Sequence, residues 1–265
     1  MLGLVKGEFS NSQREGIISL FSKRTKTLFF EKNWRPLSLL NIDYKILAKC
    51  FANTIKKHID NIVHTDQTGF IKGRFIRVNI NKILSIMEHC ESNNIEAMIV
   101  NIDFVKAFDS IEWSHLNRTL AFFNFGNNIR YWIKTLYKKS ISKLLNNGWI
   151  SAPIFHSRGL RQGSPLSSIL FILVEETLAN KIITNVDIKG ISVNNQEHEI
   201  CQYADDTNSL IMFEETSLKN LIMTLEKFEN ISGLKVNTEK TEIMKIGSAR
   251  HNTNTFLPHY LLSLY

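Results

Sequence analysis

Apolar positions along this chain recur with two periods, and the changes between them mark the elements. Over residues 42–63 the apolar residues Ile46, Leu47, Cys50, Phe51, Ile55 and Ile59 take helical spacing, with Lys49, Lys56 and Lys57 on the wet side. Residues 78–91 repeat that spacing through Ile80, Ile83, Leu84 and Met87. The two glycines in residues 65–77 make that stretch a loop, and Pro36 keeps Arg35 extended. A strand over residues 97–102 ends at Asp103. Asp109 then reads as the N-cap of the next helix, with Glu112 completing a box-like cap. Helical spacing returns over 129–144, and 149–157 reads as strand. Gly159 and Gly163 bracket a turn, after which Ser164-Pro165 opens a long apolar helix to about Ile183. Strands over 188–193, 199–204 and 207–213 follow, which puts Asp205-Asp206 at a hairpin tip. A helix over 217–231 and a strand over 234–236 close the series. Strand, helix, strand, strand, helix, strand is a ferredoxin-like split βαβ order within an α+β fold.

Two of these strands deliver carboxylates at their tips. Asp205 and Asp206 are adjacent, and Asp103 ends the upstream strand. Adjacent carboxylates repel, so a folded site must neutralise them. A divalent cation does so, and oxygen-only ligands favour Mg²⁺. Two carboxylate-tipped strands make a clamp for two-metal phosphoryl transfer. A bare Asp-Asp pair also serves as an ordinary polar turn.

Composition narrows the partners. With 43% hydrophobic and 22% charged residues the 265-residue chain is globular, with room for one large core or two modest ones. A formal net charge of +7 suits a polyanion but does not by itself specify one. Cys50, Cys90 and Cys201 have neither zinc spacing nor an even count, so they read as idle thiols in a reducing compartment. The start shows no secretory pattern, and the longest apolar stretch, 169–174, is too short for a membrane span. The expectation is an intracellular protein, nuclear or cytoplasmic, with no membrane partner.

Six segments, taken in order, resemble one family. Asn33-Trp34-Arg35-Pro36-Leu37-Ser38-Leu39-Leu40-Asn41 with Asp43-Tyr44-Lys45-Ile46-Leu47-Ala48-Lys49, and then Asp66-Gln67-Thr68-Gly69-Phe70-Ile71-Lys72-Gly73-Arg74, resemble the fingers signature of reverse transcriptases from LINE-type non-LTR retrotransposons. Asp103-Phe104-Val105-Lys106-Ala107-Phe108-Asp109-Ser110 and Gly159-Leu160-Arg161-Gln162-Gly163-Ser164-Pro165-Leu166-Ser167 are similar to the first two palm motifs. Tyr203-Ala204-Asp205-Asp206 and Gly233-Leu234-Lys235-Val236-Asn237-Thr238-Glu239-Lys240-Thr241 are similar to the next two. The resemblance runs from about Gly7 to Gly247. Ser22 beside Lys23-Arg24, and Ser164, depart from the family's usual residues.

The resemblance implies a right-hand polymerase: fingers over residues 1–95, a palm with a ferredoxin-like antiparallel sheet and helices on one face over 96–247, and an irregular tail over 248–265. It implies RNA-directed addition of deoxynucleoside triphosphates to a DNA primer 3′-end on an RNA template, with two Mg²⁺ and Mn²⁺ as a substitute. Asp103 and Asp205 would bind metal, with Asp206 as a third, weaker or more distant carboxylate. Phe108 is either a wall against a 2′-hydroxyl or a core ring. Arg35 and Lys45 either grip the triphosphate or form a solvated basic face. Gln162 and Gly163 either approach nucleotide and template or simply start a helix. Lys240 either donates a proton to pyrophosphate or is a surface lysine. Tyr203 is expected beneath the primer end, and Asp109 is expected to cap a helix. No thumb, primer-grip hairpin, endonuclease domain or Cys/His cluster is legible, so the chain reads as a fingers-and-palm piece. The competing reading is a non-catalytic nucleic-acid-binding remnant that kept the palm.

Overall fold

A computed structural model describes residues 7–22 and 34–252. The chain has a mixed α+β fold of two compact units, each drawn from two stretches of sequence. One takes the residues up to His58 together with Ile111–Leu170. The other takes Ile59–Ser110 and the residues from Phe171 on. In chain order the elements are α1 (Asn11–Arg14), β1 (Glu15–Ser22), β2 (Trp34–Leu40), α2 (Ile42–Lys56) and α3 (Ile76–Ser92). Next come β3 (Glu96–Ile102), α4 (Ala107–Ser110), α5 (Trp113–Phe122), α6 (Asn127–Tyr137), β4 (Ile141–Asn146), β5 (Trp149–Ile150) and β6 (Ile154–Phe155). Then follow α7 (Ser167–Ile183), β7 (Ile191–Val193), β8 (Gln196–His198), β9 (Ile200–Tyr203), β10 (Asp206–Met212), α8 (Glu215–Ser232) and β11 (Glu242–Gly247). The basic patch at Lys23-Arg24-Thr25-Lys26 and residues 253–265 lie outside the described residues.

In the first unit the sheet runs β2-β1-β4-β5, with β6 also on β4. Pro36 sits on β2 at the sheet edge, the position where a strand best tolerates a missing N–H. Helix α2 is capped by the Asn41 side chain, which accepts from the Asp43 N–H at 2.9 Å. It buries Tyr44, Ala48, Phe51, Ala52 and Ile55. Of the face expected from periodicity, Phe51 and Ile55 are buried, but Ile46 and Cys50 are exposed. The small Ala48 and Ala52 take the inward positions, and the helix stops at Lys56, not at residue 63. The helix expected over 129–144 ends at Tyr137, because Lys139 adopts a positive φ of 54° and β4 begins at Ile141. Pro153 lies between β5 and β6, so the strand expected over 149–157 is two short ones.

In the second unit the sheet runs β11-β3-β10-β9, every neighbouring pair antiparallel. β3 is central in the sheet and is buried on both faces, through Ala97 and Ile99 on one and Met98, Val100 and Ile102 on the other, which is why its run is continuously apolar. α3 packs on this sheet through Ile86 and Cys90, with Ile83 and Met87 beside them. Ile80 and Leu84, expected on the same face, are exposed, and the polar Asn79 is buried instead. The strand expected at 234–236 is reduced to one bridge between Val236 and Phe104, and β11 completes the sheet. Gly233 stops α8 in the left-handed region at φ 80°. Asp109 does not open a long helix. It lies inside the one-turn α4, and Glu112 occupies the N-cap of α5 without a side-chain bond. α7 starts at Ser167, two residues beyond Pro165, and its residues Ile169 to Val174 are wholly buried. Among the described residues no helix is long and apolar enough to cross a membrane.

Candidate active site

β3 and β10 pair with Ile102 opposite Thr207. One residue further along each strand stand Asp103 and Asp206, at the same end of the central strand pair. β9 and β10 are joined by Ala204 and Asp205 alone, so Asp205 occupies the hairpin tip. Burial first, and then the charges of Asp205 and Asp103, hold the Asp206 carboxyl above the usual carboxylate range. The three carboxylates therefore share one electrostatic neighbourhood. Among the described residues, no three His, Cys, Asp or Glu side chains are grouped as a ready metal cage.

Asp103 is held from the segment after α8. The Asn237 side chain donates to Asp103 Oδ2 at 2.8 Å, and the Asn237 N–H donates to the Asp103 carbonyl at 2.8 Å. The Asp103 N–H donates to Thr241 Oγ1 at 3.3 Å. Lys240 Nζ lies 3.5 Å from Asp103 Oδ2, but Lys240 is 69% exposed, so that pair contributes at most about 1 kcal/mol. Asn237 was not among the residues singled out by sequence, because an Asn near a turn carries no distinguishing signal. Phe108 is half-buried and stacks on Phe171, with ring centroids 4.5 Å apart and planes 14° apart. Tyr203 is 40% exposed beside the turn.

The remaining expected residues belong to the first unit. Arg35 lies on β2 in register with Phe21. Lys45 is half-buried in the first turn of α2. Gln162 is half-buried and Gly163 takes φ 88° in the turn before α7. The neighbouring Arg161, which sequence reasoning passed over, is buried. Its Nη2 donates to the carbonyls of Arg14 and, at 2.9 Å, of Ile141, and its guanidinium lies 5.0 Å from the Tyr44 ring centroid. It ties this motif into the first unit's core.

A second missed residue, Glu175, lies within the apolar run of α7. Its Oε2 accepts from Gln202 Nε2 at 2.7 Å and from Thr207 Oγ1 at 3.0 Å, which ties together the two strands that flank the acidic turn. Burial pushes its carboxyl up to about 8, and the charges of Asp205 and Glu176 push the same way. Burial likewise raises Glu176 to about 7. Above pH 4.5 these two groups therefore hold protons in the folded chain that they have lost in the unfolded one, so their contribution to stability falls as pH rises toward 8. Glu175→Gln stays neutral throughout and is expected to flatten that fall, gaining roughly 1–3 kcal/mol on the native protein between pH 5 and pH 8. Denaturant midpoints at the two pH values check this, and equal slopes for both proteins would refute it.

Residues 22–259 match the profile of the family described as reverse transcriptase (RNA-dependent DNA polymerase). The chain is 30% identical over 256 residues to the transposon TX1 uncharacterized 149 kDa protein of Xenopus laevis, covering 96% of this chain and 19% of that protein. It is 28% identical over 225 residues to the retrovirus-related Pol polyprotein from the type-2 retrotransposable element R2DM of Drosophila melanogaster, covering 84% of this chain and 20% of that one. It thus spans about a fifth of the length of these relatives. Among solved structures, telomerase from Candida tropicalis bound to a TWJ fragment of telomeric RNA matches 90% of this chain and 42% of its own, at 14% identity and a TM-score of 0.63, so the two share a fold. The motifs, the sheet they sit on and the match over nearly the whole chain lead to one conclusion: the chain belongs to the reverse transcriptase family.

Proposed function

We propose that this chain carries the nucleotidyl-transfer centre of an RNA-directed DNA polymerase from a non-LTR retrotransposon. The observation that carries the reading is the register of the central strand pair, which sets Asp103 and Asp206 side by side with Asp205 at the adjoining tip. The strand order last-first-third-second supports reading this sheet as the ferredoxin-like palm.

A divalent cation fits the donor set. All three groups offer oxygen, and besides burial the charges of Asp205 and Asp103 raise Asp206, a repulsion that a bound cation would relieve. Asp103, Asp205 and Asp206 would hold Mg²⁺, or Mn²⁺ in its place. Bound there, the ions would activate the primer 3′-hydroxyl and stabilise the departing pyrophosphate. The chain's own residues do the rest by positioning. Asn237 orients Asp103 through its 2.8 Å bond. Arg35 and Lys45 bind the triphosphate, Gln162 and Gly163 bear on nucleotide and template, and Lys240 protonates the leaving group. RNA template and DNA primer are the macromolecular partners.

Phe108 is assigned the exclusion of ribonucleotides. Phe108→Ala is expected to lower the preference for deoxynucleotides by roughly 10- to 100-fold, since opening a pocket by a few carbons shifts selectivity by that order. The assay is addition of a single nucleotide to a DNA primer on an RNA template with Mg²⁺, comparing deoxy- with ribonucleoside triphosphates. Addition by the unaltered chain supports the function. An unchanged sugar preference in the variant would leave Phe108 as no more than the core partner of Phe171. No addition by a folded chain would contradict the polymerase reading.

A further inference from the structure

Gln67 belongs to a segment that reads as a fingers motif in sequence, yet the structure places it in the same unit as the acidic turn. The segment lies along the outer edge of β9. Gln67 and Gln202 form a parallel bridge. The Gln202 N–H donates to the Asp66 carbonyl at 2.9 Å, and the Thr68 N–H donates to the Gln202 carbonyl at 2.9 Å. The Gln67 side chain then reaches past the end of the strand. Its Oε1 accepts from the Ala204 N–H at 3.0 Å and from the Gly69 N–H at 2.8 Å. Its Nε2 donates to the Ala204 carbonyl at 3.3 Å. Both backbone polar groups of Ala204 therefore end on one amide, which is itself 1% exposed.

We propose that Gln67 is a positioning residue for the catalytic carboxylates: its amide clamps Ala204 and so fixes where Asp205 stands. The proposal rests on the polymerase reading above. Three observations support it. Ala204 adopts φ 56°, a left-handed conformation that is strained for a residue with a side chain and persists only where its surroundings impose it. The turn also carries two adjacent carboxylates whose repulsion works to spread it. Finally, the segment approaches so closely that a Cβ on Gly69 would stand 2.2 Å from the Ala204 nitrogen, so only glycine permits the contact.

The clamp is anchored from behind. Lys82 Nζ lies 2.6 Å from Asp66 Oδ1, Arg74 Nη1 donates to the Gln67 carbonyl at 3.0 Å, and Asn79 Nδ2 donates to the Gln202 carbonyl at 2.8 Å. This also explains the buried asparagine on α3. Gln67 touches no reacting group. It acts through the backbone of the residue preceding Asp205, where a shift of about 1 Å is enough to cost roughly a hundredfold in rate.

Gln67→Met in the full chain keeps the side-chain volume and removes both bonds to Ala204. Three readouts separate positioning from mere support. Amide exchange at Ala204, followed by NMR, is expected to be slow in the unaltered chain and about 10-fold faster in the variant, with Ile99 and Val100 unchanged. Mn²⁺ affinity, read by its paramagnetic resonance, is expected to fall about 10-fold while thermal stability changes little. The rate constant for single-nucleotide addition is expected to fall roughly 10- to 100-fold with KM for the triphosphate unmoved. Fast Ala204 exchange in the unaltered chain overturns the proposal, and that measurement stands even where the variant does not fold. Unaltered exchange, or unaltered Mn²⁺ affinity, in Gln67→Met overturns it as well. Asp205→Asn serves as the control, because it should abolish Mn²⁺ binding and leave Ala204 exchange slow. If the unaltered chain binds no Mn²⁺ while Ala204 stays protected, the polymerase reading has failed, and the clamp's catalytic role is overturned with it.

Discussion

Asparagine at position 205 is expected to abolish single-nucleotide addition, a loss of at least about 1000-fold, while primer–template affinity and thermal stability stay near those of the unaltered chain. Asp205 occupies the tip of the β9–β10 hairpin, beside the strand ends that carry Asp103 and Asp206. The substitution keeps the shape and the turn propensity and removes one negative charge. Phosphoryl transfer depends almost wholly on positioned charge, so losing a charged ligand costs more than losing a neutral contact. Nucleic-acid affinity depends instead on cations that neutralise phosphates, which the substitution leaves in place. Single-turnover addition on an RNA template, together with a melting curve and a binding isotherm, separates these effects. Activity that survives in Asp205→Asn would remove this residue from the site.

Alanine at position 163 is expected to destabilise the protein by roughly 2–4 kcal/mol. Gly163 adopts φ 88°, where an L side chain costs about 1–2 kcal/mol. A Cβ there would also meet the Ser38 carbonyl oxygen at 2.6 Å. That oxygen is backbone on β2 and has no flexible end to swing aside, so turn and strand must part. The buried Arg161, two residues before, depends on the same turn for its bonds to the carbonyls of Arg14 and Ile141. Denaturant titration checks the figure. A change under about 0.5 kcal/mol would show that the turn yields more easily than its geometry implies.

The parts legible in sequence are those whose pattern comes from burial alone. β3 is apolar because side chains on both of its faces are buried. The Asp205 hairpin tip and α8 also stand close to where their periodicity puts them. The misread faces trace to residues whose role depends on partners far along the chain. Ala48 and Ala52 face inward on α2, where their small side chains are fully buried. Asn79 takes an inward place on α3 because it bonds the carbonyls of Asp66 and Gln202. Glu175 looks misplaced within an apolar helix until Gln202 and Thr207 are seen to donate to it. β11 escaped because Glu242 and Lys245 interrupt its apolar run. Within the candidate site the carboxylates announced themselves as an adjacent pair and a strand end. Asn237 and Gln67 did not, since an amide gains meaning only from what it touches.

The strand end at Asp103 and the turn at Asp205-Asp206 are proposed to form one divalent-metal site. Iron-directed backbone cleavage tests it most directly. With Fe²⁺ in place of Mg²⁺ and peroxide supplied, hydroxyl radicals cut the chain only near the bound ion. Cuts are expected to be confined to the neighbourhoods of Asp103 and of Ala204 to Thr207, suppressed by excess Mg²⁺ and absent in Asp205→Asn. Cuts at only one of the two segments, cuts elsewhere in the chain, or a pattern indifferent to Mg²⁺ would contradict it.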